Sequence, residues 1–305
     1  MWWRRSDGEL VRGLPNTRRV MPYLMRGRNE SAVFFEYDVK LPKTDAFVRS
    51  WNQANPTLQI DVFHVFVWAM RDAFERNPSV HRIVAGGRFY DRKGIWFSYA
   101  VKSKLEVGAP LVLVKRRFDL DESFGAMVEG MHAEQSSATS SERSTLDKEL
   151  GLLLRFPGFV RRLIMATIRV GDRLGLLPRH FIEKDPMYTS AFFANMASLG
   201  MPAVYHHLYE YGTATVFASV GRPVGEPGSP TTGPDRRRLM TLKFTFDERA
   251  DDGLAAWFTL RRVKQVIEDP EACGLSIETS RTASLEPEAT ALPADGAPAT
   301  VESSS

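Results

Sequence analysis

Phe246-Asp-Glu-Arg-Ala-Asp-Asp-Gly253 joins two segments of opposite periodicity. Ahead of it, Met240, Leu242, Phe244 and Phe246 alternate with other residues, the pattern of a half-buried strand. Behind it, Ala256, Leu260, Val263 and Ile267 recur at helical spacing, and Pro270 follows. The acids and the glycine therefore read as a strand-to-helix turn, with Asp251 or Asp252 suited to cap the helix. Side chains at such a turn are held firmly at the end of a sheet, where sites are often built. A capping turn alone would leave the same pattern.

Outward from that turn, helices and strands mix along one continuous domain. Residues 34–41 alternate, with Phe35, Tyr37, Val39 and Leu41 on one side and Glu36, Asp38 and Lys40 on the other. Thr44 suits the start of a helix reaching Ala54, and Asp61 caps a stronger one in which Phe63, Val67, Met70 and Phe74 share a face until Pro78. A hairpin is expected across 83–101, with Gly86-Gly87 and Lys93-Gly94 as turn signals. A short β run at 111–115 precedes a helix opened by Asp121-Glu-Ser-Phe. Residues 136–144 are polar and Ser-rich, a linker or loop. Strands are expected at 188–195, 213–220 and 239–246, and a helix at 255–268. The Pro- and Gly-rich 223–234 reads as a flexible connection. From about residue 275 the chain turns to Thr, Ala, Pro, Glu and Ser and lacks the apolar content to order itself.

The expected fold class is thus α/β (or α+β), a mixed sheet flanked by helices. The organisation is an extended arm over 1–17, a domain over 18–274 with a helical insert at 136–185, and a disordered tail over 275–305. Within the insert, 150–177 is apolar and arginine-rich, and Pro157-Gly158 divides it into two helical pieces. Three roles compete for it. It packs against the domain or a neighbouring subunit, or it walls an acyl-chain pocket, or it lies on a membrane. The last is disfavoured because its arginines do not gather on one obvious face.

Composition narrows the class further. The 305 residues are 43% hydrophobic and 25% charged, the balance of a soluble globular protein, and a net charge of +3 implies no strong polyanion partner such as nucleic acid. The basic excess is local. Arg4, Arg5, Arg12, Arg18, Arg19, Arg26 and Arg28 face only Asp7 and Glu9 and read as a solvated arm. One cysteine, Cys273, excludes a disulfide frame and a cysteine-based metal site. No apolar leader follows Met1-Trp-Trp-Arg-Arg5, and no apolar run reaches the roughly 20 residues of a membrane span, so a cytoplasmic protein is expected.

Residues 247–253, Asp-Glu-Arg-Ala-Asp-Asp-Gly, resemble the Asp-His-Arg-x-x-Asp-Gly motif of the catalytic domain of 2-oxoacid dehydrogenase dihydrolipoyl acyltransferases, which shares its fold with chloramphenicol acetyltransferase. A second block, Ala197-Ser198-Leu199-Gly200-Met201, resembles that family's Ser-Asn-Leu-Gly, and 213–221 its following apolar strand ending in Gly. Weaker similarity runs from Arg18-Arg19 through 34–41 and 61–76 to 83–101. The likeness covers most of 18–270, outside the tail and the insert.

The resemblance implies acyl transfer between coenzyme A, as a substrate thioester, and a thiol, amine or hydroxyl acceptor, at a site formed between the subunits of a homotrimer or larger assembly. In such sites the motif histidine takes the proton of the attacking group, a hydroxyl supports the oxyanion, and the motif aspartate anchors the turn. Three residues fall on those positions here. Glu248 stands where the histidine should be, the hydroxyl position falls on Ala197 or, if the register slips by one, on Ser198, and Asp252 matches the aspartate. A carboxylate in water, near 4.3, is a weak acceptor for a thiol proton near 8.5. Desolvation can bring such a group to about 6–7, where general-base work is feasible. No lipoyl attachment is expected in this chain. Two functions from different classes follow, an acyltransferase using Glu248 as base and a catalytically inactive trimeric relative that binds a ligand or builds an assembly.

Other residues invite less. His206-His207 ahead of Glu210 could suggest a metal or a substitute base, but neighbours on a strand point to opposite faces and no third ligand is patterned nearby, so packing is expected. No metal site is expected. His64 reads as a satisfied half-buried helix residue, and His81, His132 and His180 carry no pattern. Gly86-Gly87 is no phosphate loop, since no Gly-Lys-Ser/Thr follows. Trp51, Trp68, Trp96 and Trp257 read as core.

Overall fold

The computed structural model describes residues 5–102, 111–140, 151, 154–225 and 238–277. Six strands form the main sheet: β2 (Ala32–Lys40), β5 (Ile95–Lys102), β6 (Leu111–Phe118), β7 (Ala191–Asn195), β8 (Val216–Val220) and β9 (Leu239–Asp247). Their order is β2-β9-β8-β7-β5-β6. β7 runs parallel to β5 and β8, and the other neighbours are antiparallel. The sheet is mixed, and the α/β class expected from the sequence is what the chain adopts.

β9 sits between β2 and β8 and shows why its sequence alternates. Met240, Leu242, Phe244 and Phe246 are all buried on the helix-covered face. Opposite them, α3 (Val62–Arg76) and α7 (Gly253–Glu268) pack together, with α2 (Pro42–Ala54) beside them. Phe66, Met70 and Phe74 from α3 meet Leu260, Val263 and Ile267 from α7 in one continuous core. α3 starts as its sequence promises. The Asp61 carboxylate accepts from the amides of Phe63 and His64, and the His64 ring returns a bond to Asp61, a reciprocal cap. Thr44 does not cap α2. Its hydroxyl is buried and donates to the Ile267 carbonyl, tying α2 to α7.

Several elements differ from the sequence reading. The expected hairpin at 83–101 is two units. Gly86 and Gly87, both with positive φ, close a hairpin between β3 (Ile83–Ala85) and β4 (Arg88–Arg92), but β4 does not pair with β5. Lys93-Gly94 instead carries the chain from a small sheet, β1-β4-β3, to the main one. Among the described residues of the N-terminal segment, β1 (Gly8–Leu10) is a strand that pairs with β4, and the chain turns helical at α1 (Asn16–Leu24). Its arginines are not uniformly solvated: Arg5 and Arg28 are 4% and 6% exposed. The Ser-rich run continues α4 (Phe124–Ser140), and 141–144 lie outside the described residues. Leu275 is buried and Ile277 packs on the core, so order extends past the point where composition changes. Residues 226–234 of the Pro- and Gly-rich connection and 278–305 of the tail lie outside the described residues.

In the insert, Pro157 precedes α5 (Gly158–Leu174), and α6 (Arg179–Lys184) follows. α5 is held to the body by Asp172, whose carboxylate pairs with Arg5 at 2.9 Å. Its opposite side stands in solvent: Phe159, Leu163 and Val170 are 73%, 65% and 52% exposed, with Arg162, Arg169 and Arg173 also exposed beside them. Contrary to the sequence reading, the exposed arginines therefore do share a side of the helix. Among the described residues, no helix is long and apolar enough to cross a membrane.

His81 gives the fold a pH dependence. Its ring is buried, stacks on Phe74 at 5.2 Å between centroids and lies 3.2 Å from Ser190 Oγ. Burial, with Arg92 and Arg82 beside it, pushes its pKa from 6.5 down to about 3. The unfolded chain thus takes up this proton first as pH falls. The stability linked to this proton is fully present above pH 6.5 and drains away towards pH 3, with a slope approaching about 1.4 kcal/mol per pH unit. Stability of a His81→Phe protein is expected to fall less steeply over that interval by one proton's worth. Parallel curves from urea titrations at several pH values would refute it.

Candidate active site

The turn after β9 is built around Asp247. Its side chain is 1% exposed, and its Oδ1 accepts from Ser31 Oγ at 2.8 Å, from the Arg249 amide at 3.1 Å and from Arg249 Nε at 2.9 Å. Oδ2 accepts from Arg249 Nη2 at 2.8 Å and lies 3.9 Å from Arg28 Nε. Arg28 in turn donates to the carbonyls of Tyr209, Glu210 and Gly212, the last at 2.7 Å. Gly212 has φ +88°, and a Cβ there would lie 2.0 Å from the Met187 carbonyl, so only glycine fits. Glu210 accepts from the amides of Arg28 and Asn29. Burial alone would raise its pKa, but those amides hold the carboxyl below its ordinary range. Two buried guanidinium groups and one buried carboxylate thus bind three segments distant in sequence into one rigid corner.

Glu248 stands on that corner. Its backbone is fixed on both sides: its amide donates to the Ser31 carbonyl at 3.0 Å, and its carbonyl accepts from Arg18 Nη2 at 2.9 Å. Arg18 also donates to the Arg249 carbonyl. The Glu248 side chain is half-buried and makes no hydrogen bond or ion pair with another described residue. Asp252 is exposed and caps α7, its Oδ1 accepting from the Ala255 amide at 2.9 Å.

Ser198 lies elsewhere. It is exposed in the single 3-10 turn Ala197–Leu199 after β7, and its hydroxyl donates to the Asn195 carbonyl at 2.7 Å. Strand register places the two residues at opposite ends of the sheet. Phe246 is level with Val216 and Ala191, whereas Asn195 is level with Val220 and Leu242. Four residues of strand separate those levels, about 13 Å along the strands, and two interstrand steps add to it. One protomer therefore brings Glu248 and Asp252 together and leaves Ser198 apart.

The sequence alone assigns no role in this corner to Asp247, Arg28 or Ser31, and it names Glu210 only beside His206-His207 and Arg18 only among the arm arginines and within the weaker similarity. Asp247 sat inside the quoted motif, and Arg28 was counted with the solvated arginines. What unites them is register, Ala32 opposite Asp247, which periodicity does not encode. His206 and His207 are also placed differently. They lie in an irregular segment, not on a strand, and their rings stack on each other at 4.7 Å while His206 stacks on Phe217 at 4.0 Å. Trp257 is 39% exposed and is not core. Among the described residues, no group of three or more His, Cys, Asp or Glu could hold a metal ion.

No protein-family model matches the sequence, and no curated protein is similar to it. Solved structures are similar in fold. The dihydrolipoamide acetyltransferase of Azotobacter vinelandii superposes with a TM-score of 0.55 at 14% identity, over 86% of this chain and 93% of that one. A truncated catalytic core of the 2-oxoacid dehydrogenase multienzyme complex from Thermoplasma acidophilum gives 0.52 at 16% identity, over 86% and 99%. A chloramphenicol acetyltransferase gives 0.50 at 13% identity, over 85% and 99%. The chain has the chloramphenicol acetyltransferase fold. The resemblance first carried by 197–201 and 247–253 thus extends to the fold.

Proposed function

We propose that the chain transfers an acyl group from a coenzyme A thioester to a thiol or hydroxyl acceptor, with Glu248 as the base. The observation that carries this reading is a half-buried carboxylate that bonds to no other described residue, on a turn whose backbone is pinned by Ser31 and Arg18. Glu248 takes the acceptor's proton as its oxygen or sulfur attacks the thioester carbonyl. The tetrahedral intermediate then expels the coenzyme A thiolate, which recovers that proton. Asp252 keeps α7 and the turn in register.

Ser198 enters only between chains. Because it lies at the far end of its own sheet, the hydroxyl that meets Glu248 belongs to a neighbouring copy, which agrees with the trimeric assembly that the sequence resemblance implies. There the hydroxyl turns from the Asn195 carbonyl to the oxyanion.

A second reading, a non-catalytic relative that binds a ligand or builds an assembly, is favoured by that same hydroxyl being already bonded to Asn195. A panel of acyl-coenzyme A compounds with dithiol and alcohol acceptors separates the two. Release of free coenzyme A only in the presence of acceptor supports transfer. Binding without any release supports the second reading and removes the first.

A further inference from the structure

Positive charge that no acid neutralises gathers beside the corner, not on it. A cavity of about 530 Å³ opens between α1, the β3–β4 turn and α5. That volume is within the usual range for a small-molecule site. Five arginines line it, Arg26, Arg28, Arg169, Arg173 and Arg249, against two acids, Asp172 and Glu210.

Both acids are already engaged. Asp172 pairs with Arg5, and Glu210 holds the amides of Arg28 and Asn29. Arg28 and Arg249 are committed to Asp247 and to backbone carbonyls. Arg26, Arg169 and Arg173 remain, and none of their side chains makes a hydrogen bond or ion pair with another described residue. A surface arginine is ordinarily just solvated, and Arg173 also complements the C-terminal end of its helix. Three such groups on one cavity wall exceed that explanation.

The wall is also built rather than incidental. Arg5, buried, fixes α5 through both the carboxylate and the carbonyl of Asp172. The last turn of α5 rests on Gly86, where a Cβ would lie 2.4 Å from the Arg173 carbonyl.

We infer that this cavity binds a phosphate group of a phosphorylated ligand. A phosphate monoester carries about −1.5 to −2 charges at neutral pH and several acceptor oxygens, which matches three forked guanidinium groups better than one carboxylate does. The inference does not rest on the transferase reading, since none of these arginines is asked to move an acyl group or a proton. The ligand's source is either a soluble phosphorylated molecule or a lipid headgroup, the latter suggested by the apolar side of α5 running next to Arg162, Arg169 and Arg173.

The test is binding, not turnover. Calorimetric titration of the intact chain with sodium pyrophosphate is expected to show binding that weakens with added salt. The double substitution R169A/R173A, both at exposed positions, should weaken it at least tenfold, while R222A, an exposed arginine away from the cavity, should not. Co-sedimentation with phosphatidate vesicles, against phosphatidylcholine vesicles, separates the sources. Pelleting that R169A/R173A abolishes assigns a lipid, and pyrophosphate binding without pelleting assigns a soluble ligand, either result upholding the site. Absence of binding in both arms overturns it, as does an equal loss in R222A.

Discussion

Replacing Asp247 with alanine is expected to cost about 3–5 kcal/mol of folding free energy, enough to leave much of the chain unfolded at physiological temperature. The reason lies in what stays behind. Arg28 and Arg249, each 6% exposed, would keep their charges in a poorly solvated corner without the carboxylate between them. Ser31 Oγ and the Arg249 amide would lose the acceptor they share. Asp247→Asn should cost less, because an amide oxygen still accepts at Oδ1 while the charge is lost. Urea unfolding followed by tryptophan fluorescence measures both. A loss below about 1 kcal/mol for Asp247→Ala would show that the guanidinium groups find water or other acceptors, and that the corner is not held by this carboxylate.

The second large effect is on rate and rests on the transferase reading. Glu248→Gln keeps the shape and removes the basicity, and turnover should fall by roughly 10²–10⁴. Stability should hardly move, because the Glu248 side chain bonds to no other described residue and its backbone bonds survive the change. Glu248→His supplies an imidazole with an unperturbed pKa near 6.5, closer to that of a thiol, and should transfer at least as fast as the native chain. Steady-state assays with one acyl-coenzyme A and one dithiol acceptor decide the matter. Turnover of Glu248→Gln equal to that of the native protein removes the carboxylate from the chemistry.

The fold was legible where burial imposes a period. β9 and β2 alternate because one face meets α3 and α7, and α7 carries an apolar stripe because its other side meets water. Asp61 announced the start of α3 because a cap is a local bond. What could not be read was whatever depends on partners distant in the chain. Lys93-Gly94 looks the same whether the next strand folds back or crosses to another sheet. Arg28 looks like Arg26, although one is a buried clamp and the other faces a cavity. The site was half legible on the same grounds. The turn bearing Glu248 and Asp252 is local, and it is where the pattern placed it. The distance from Ser198 is a matter of strand register, which no spacing along the chain discloses.

Successive residues at the end of β9 have separate duties. Asp247 and Arg249 hold the corner, while the half-buried side chain of Glu248 between them bonds to no other described residue. Natural selection for a well-folded molecule therefore acts on the outer two and is blind to the middle one. A lineage could exchange the group at that position, and gain, retune or forfeit a reaction, without the architecture registering the change.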